Sequence, residues 1–90
     1  MGLDVAAMIS LISESSIHYK EVTKAAEETP EVLQCFSTTG KGSHILFVVT
    51  RNSSTLEELL RKIQNWPGVI RTETQIILSD YKMIQKYFLN

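Results

Sequence analysis

Two stretches of this chain are copies of one another in pattern: an offset of 37 residues carries Pro30-Glu31-Val32-Leu33 onto Pro67-Gly68-Val69-Ile70. The same shift carries Tyr19, Val22, Ala26 and Thr29 onto Leu56, Leu59, Ile63 and Trp66, and Ile9, Leu11 and Ile12 onto Leu46, Val48 and Val49. A duplicated pattern of this length restricts the topology severely, because both halves must form the same unit. Each half reads as strand, helix, strand. Residues 5–12 are a short apolar run bounded by Gly2 and by the polar Ser13-Glu14-Ser15-Ser16, as a buried strand requires. The stripe from Tyr19 to Thr29 has spacings of 3, 4 and 3, with Lys20, Glu21, Lys24, Glu27 and Glu28 around it, which predicts an amphipathic helix ended by Pro30. Residues 32–39 follow as a second strand.

Between the halves lies Thr39-Gly40-Lys41-Gly42-Ser43, whose two glycines suit a tight turn between antiparallel strands. The third strand is expected over residues 44–50. Asn52-Ser53-Ser54-Thr55 then offers N-cap side chains, Glu57 and Glu58 lie where the helix dipole favours acids, and Leu56, Leu59, Leu60, Ile63 and Trp66 form an apolar stripe. Pro67-Gly68 stops this second helix, residues 69–78 read as the fourth strand, and residues 80–90 form an amphipathic tail that could be a short helix. Two strand-helix-strand units joined by a tight turn interleave most simply as βαββαβ. The expected fold is therefore α+β: a ferredoxin-like plait over residues 2–79, a four-stranded antiparallel sheet with both helices on one face. The first and third strands are apolar on both alternating faces, so the face without helices needs a cover. A second copy, packed sheet to sheet, supplies it.

Ninety residues hold one compact domain, which leaves no room for a large catalytic domain and makes oligomerisation an economical source of extra burial. Nine Lys+Arg balance ten Asp+Glu, without the basic stripe that phosphate neutralisation demands, so direct nucleic-acid binding is not expected. No apolar run approaches the roughly 18 residues of a membrane-spanning helix, and the N-terminus lacks a basic signal-peptide region. A cytoplasmic protein with no membrane partner is expected. The lone Cys35 excludes an internal disulfide and suits a reducing compartment.

Candidates for chemistry are few. Gly40-Lys41-Gly42-Ser43 lacks both the spacing and the strand-to-helix setting of a phosphate loop. His18 and His44 have no Cys, Asp or Glu at ligand spacing, so no metal or cofactor is expected and both histidines read as surface or interface residues. His44 could face Cys35 across the hairpin, but no third residue would orient such a pair, and a buried, unreactive thiol is the simpler reading. No enzyme is expected.

Several segments in order carry a resemblance to a known family: Gly2-Leu3-Asp4-Val5, Pro30-Glu31-Val32-Leu33-Gln34-Cys35-Phe36, Thr38-Thr39-Gly40, Pro67-Gly68-Val69, Thr72-Glu73-Thr74 and Ile76-Ile77-Leu78. From residue 2 to about residue 82 the chain is similar to the RAM domain, the C-terminal effector domain of Lrp/AsnC transcriptional regulators. The resemblance implies sheet-to-sheet dimers that can assemble into octamers, with small effectors, usually amino acids, held between dimers. Carried over by position, the effector-binding candidates are Thr39, Gly40, Lys41, Gly42 and Ser43 on the turn and Thr72 and Thr74 on the fourth strand. Backbone N–H groups of such a turn can receive a carboxylate, Thr hydroxyls can donate or accept, and Glu58 or Glu73 could balance an ammonium.

This sequence departs from the family where Gly-x-aromatic-Asp is frequent in the turn: Gly42 stands at the aromatic position and Ser43 at the acid. That removes one partner for an effector's ammonium. The family's DNA-reading helix-turn-helix would precede residue 1, which implies either a stand-alone RAM protein or the separated effector half of a regulator, the latter favoured by Gly2-Leu3-Asp4. An oligomerising amino-acid sensor is the leading reading. A dimerisation module without ligand, or a small plait enzyme using His44 or Glu73, are its alternatives.

Overall fold

The computed structural model describes residues 4–40 and 42–79. Seven elements follow one another: β1 (Val5–Ser13), a 3-10 turn (Ser16–His18) leading directly into α1 (Tyr19–Glu27), β2 (Val32–Ser37), β3 (His44–Thr50), α2 (Ser53–Gln64) and β4 (Val69–Ile76). The strands form one antiparallel sheet in the order β2-β3-β1-β4. This is the expected plait. β2 and β4 stop two residues short of their expected ends, at Ser37 and Ile76, and the tail expected over residues 80–90 lies outside the described residues. No helix among the described residues is long and apolar enough to cross a membrane.

The repeat is visible in the register. β1 and β3, the first strands of the two halves, pair at the centre, and Ile9 sits opposite Leu46, its own equivalent 37 residues on. The local two-fold axis relating the halves therefore passes between Ile9 and Leu46. The equivalent helix-to-strand turns are also hydrogen-bonded alike, Val32 N–H to Thr29 O at 3.0 Å and Val69 N–H to Trp66 O at 3.2 Å. They differ in type. Gly68 has φ +79°, which with Pro67 before it makes a type II turn, whereas Glu31 keeps a negative φ.

Alternation divides the sheet into two unlike faces. Ala7, Ile9 and Leu11 of β1 and Leu46 and Val48 of β3 point to the helices and are fully buried against Val22 and Ala26 of α1 and Leu56, Leu59 and Ile63 of α2, with Trp66 closing the end. The helix stripes read from sequence are those that pack. Thr29 is buried beyond the last turn of α1, where its Oγ1 donates to Ala25 O at 2.7 Å and so satisfies one of the helix's terminal carbonyls. Asn52 caps α2: its side chain accepts from Thr55 N–H while Thr55 Oγ1 accepts from Asn52 N–H, both at 3.0 Å.

The opposite face carries Met8 and Ile12 of β1, Ile45, Phe47 and Val49 of β3 and Phe36 of β2, and no element of the described chain covers it. Phe36 is 44% exposed, and the other five remain only half-buried although they occupy central strands. Gln34 on one flank and Arg71, Glu73 and Gln75 on the other give this apolar strip polar margins.

Candidate functional site

The turn joining β2 to β3 is held against β1. Thr38 N–H donates to Ser43 O at 3.2 Å and closes the hairpin, and Ser43 N–H donates to Leu11 O at 2.8 Å, which ties the turn to the strand beside it. Gly40, with φ +99° and open space around it, supplies the left-handed residue the reversal needs. Gly42 has another role: a Cβ there would lie 3.1 Å from Leu11 O, so the missing side chain lets the turn approach β1. Thr39 and Gly40 face solvent, Ser43 is half-buried, and Lys41 lies outside the described residues.

The two threonines lie across β1 from this turn. In the register Leu11 of β1 has His44 of β3 on one side and Thr72 of β4 on the other, and Ile9 separates Leu46 from Thr74 in the same way. Two strand spacings, roughly 10 Å, therefore separate the turn from the threonine edge. Thr72 is half-buried on the helix side, where its Oγ1 accepts from Gln64 Nε2 at 3.3 Å, and Thr74 is exposed. Glu73 points to the opposite face and pairs with Arg71 at 3.0 Å. Glu58 lines a cleft with Glu31, Thr55, Leu59 and Lys62 along α2. The structure thus brings the turn and Thr72 to one end of the sheet without joining them in a cavity, and it separates both acids from them.

Three residues that sequence reasoning left out of the site touch it. Ser13 Oγ and Ser43 Oγ are 2.9 Å apart, and Ser43 Oγ lies 2.9 Å from His44 Nδ1, so that a continuous hydrogen-bonded chain runs from β1 through the turn into β3. Gln64 is the third, through Thr72. His44 is neither a surface nor an interface histidine. It is 1% exposed, on the helix face of β3, with Tyr19 edge-on to its ring at 4.8 Å between centroids. Burial holds its pKa below the ordinary histidine value. Cys35 is opposite Leu46 rather than His44, so the two residues do not meet. The thiol is half-buried, its pKa raised by burial, in a groove of about 290 Å³ between α1 and β2. Such a thiol is poorly reactive. No cluster of three potential metal ligands occurs among the described residues.

The Lrp/AsnC ligand binding domain matches this chain over residues 4–87. The chain belongs to the Lrp/AsnC family. It is 32% identical over 82 residues to the HTH-type transcriptional regulator FL11 of Pyrococcus horikoshii, covering 91% of this chain and 54% of that protein. The structure of Escherichia coli AsnC superimposes with a TM-score of 0.83 at 32% identity, covering 91% of this chain and 56% of that one. A feast or famine regulatory protein from Mycobacterium tuberculosis, solved in complex with L-methionine, has a TM-score of 0.76 at 26% identity, covering 88% and 53%. This Lrp/AsnC domain thus spans about half the length of the relatives it matches, and its plait is the family's plait. The resemblance read from the segments between residues 2 and 82 is correct.

Proposed function

We propose that this Lrp/AsnC domain is an amino-acid-sensing and oligomerisation domain of a transcriptional regulator, and that it is not an enzyme. Its effector lies between dimers, against Thr39, Gly40, Lys41, Gly42 and Ser43 of one edge and Thr72 and Thr74 of the other. The observation that carries this reading is the open arrangement of the described members of that set: the turn and Thr72 lie at one end of the sheet on either side of β1, Thr74 follows two residues further along β4, and they enclose nothing within a protomer. A ligand held there needs a wall from a neighbouring copy, and so its binding biases assembly. The uncovered strip of Met8, Ile12, Phe36, Ile45, Phe47 and Val49 supports the first step, a sheet-to-sheet homodimer, which can assemble further to an octamer. The methionine complex of the mycobacterial relative supports an amino acid as ligand.

One observation favours a second reading, a dimerisation module without effector. Ser43 stands where an acid is frequent in the family, and its hydroxyl is already engaged by Ser13 and His44. Thermal denaturation with a panel of the common L-amino acids, methionine included, separates the two. A ligand of the folded form alone raises the midpoint, by an amount that grows with its concentration. A dimer whose midpoint no amino acid moves would refute sensing and leave the module. The balance of nine basic and ten acidic residues predicts no sequence-specific gel shift by this chain at physiological salt.

A further inference from the structure

His44 is the most deeply buried titratable side chain of the described fold, and its Nε2 has no hydrogen-bond partner. Its Nδ1 meets Ser43, and Ser43 meets Ser13. A buried N–H without an acceptor is rarer and costlier than a buried acceptor without a donor, so the economical tautomer carries its proton on Nδ1. In that form Nδ1–H donates to Ser43 Oγ, and the Ser43 hydroxyl, 2.9 Å from Ser13 Oγ and 3.4 Å from Leu11 O, carries the chain on to β1. A second proton on the ring would place an N–H at Nε2, where no acceptor stands.

We propose that Ser13 and His44 are positioning residues of the effector turn: their hydrogen-bonded chain with Ser43 helps hold residues 42–43 against β1, and a second proton on the ring, which leaves the Nδ1–H bond to Ser43 in place, puts a buried charge and an unpaired Nε2–H beneath the turn and loosens it, which makes the turn sensitive to acid. The inference rests on the reading that this turn receives the effector, and extends it to regulation by pH. Tyr19 of α1 stands against the ring, Leu11 of β1 and Ser37 of β2 flank His44 in the sheet, and Ser13 of β1 reaches it through Ser43. None of these is a carboxylate, and only Tyr19 carries an ionisable group. No carboxylate among the described residues lies within ion-pair distance of His44. His18, the other histidine, is paired with Glu21 at 2.5 Å. No carboxylate among the described residues therefore compensates a charge on the ring, and burial lowers its pKa. Ser43 N–H, bound to Leu11 O at 2.8 Å, reports the latch directly.

The test uses the whole 90-residue chain between pH 7.5 and pH 5.5, a window in which ordinary carboxylates stay ionised. Without ligand, hydrogen exchange of the Ser43 amide, corrected for intrinsic rate, should lose protection as pH falls below about 6.5, by up to about tenfold at pH 5.5. His44→Asn places an amide N–H near the position of Nδ1 and cannot titrate. It should keep the protection at neutral pH and abolish its pH dependence, whereas His44→Phe should lose protection throughout. Ser13→Ala should weaken protection while leaving the pH dependence in place. Unchanged Ser43 protection in the wild type across the window, or the same pH dependence in His44→Asn, would overturn the proposal. With L-methionine as probe, affinity should fall in parallel with protection. A pH-dependent latch together with no binding of any amino acid at pH 7.5 would refute the effector reading and leave the latch standing.

Discussion

Gly68 and His44 show how single residues hold this fold in ways their chemistry alone does not announce. At Gly68 a Cβ would lie 2.8 Å from His18 Cδ2 and 3.0 Å from His18 Cβ, and the backbone is left-handed at φ +79°. Gly68→Ala therefore combines a strained backbone with a clash, and a loss of about 1–3 kcal/mol in urea unfolding is expected. A stability within error of wild type would contradict that account. His44 gives a pH dependence whose sign is determined. Its folded-state pKa is lowered, so the unfolded chain binds the extra proton first; stability is complete above about 6.5 and declines as pH falls toward the lowered value. Urea midpoints should thus be lower at pH 5.5 than at pH 7.5 in the wild type and should differ less in His44→Asn. The burial of His44 was not legible in the sequence, because a histidine following Gly-Ser at a strand start looks solvated. Its cover comes from Tyr19, 25 positions earlier, and only the packing of α1 places that ring.

At the scale of elements, most of the architecture was readable because pattern and punctuation agreed. Both helix stripes, both Pro-initiated turns and all four strands were expected from the 37-residue repeat, and each was found. The shortfalls are at strand ends. β2 ends at Ser37, opposite the first residue of β3, and β4 is given to Ile76, although Ile77 N–H still donates to Ala6 O at 2.9 Å; propensity alone does not report where a ladder stops. The site was less legible still. Turn and threonines could be named by resemblance, but Ser13 meets Ser43 across 30 residues, Gln64 reaches Thr72 from the preceding helix, and His44, though next to Ser43, bonds it through a ring whose burial only the fold determines. The capping box of α2 was only half anticipated, as a set of N-cap candidates; Asn52 and Thr55 satisfy each other reciprocally. Asn52→Ala should cost about 1 kcal/mol, seen as a lower thermal midpoint with an unchanged circular dichroism spectrum at 25 °C. No change in midpoint would show that the cap is dispensable.

At the scale of the whole molecule, the contrast between the two sheet faces governs everything else. One face is sealed by two helices, and the other presents six apolar side chains between polar margins, which is the pattern of an interface rather than of a solvated surface. The proposed effector residues, which enclose nothing within one protomer, fit the same need for a neighbouring copy. Phe47→Asp, in the middle of the open face, should shift the protein to monomer in sedimentation at micromolar concentration. It should also abolish any stabilisation by amino acids, since a ligand held between dimers loses its wall. The most direct measurement of the central claim is native mass spectrometry of the wild-type chain with a mixture of L-amino acids, because assembly and bound mass are read from one spectrum. Even-numbered oligomers carrying an amino acid are predicted; monomers, or dimers that take up no amino acid at millimolar concentration, would contradict the account.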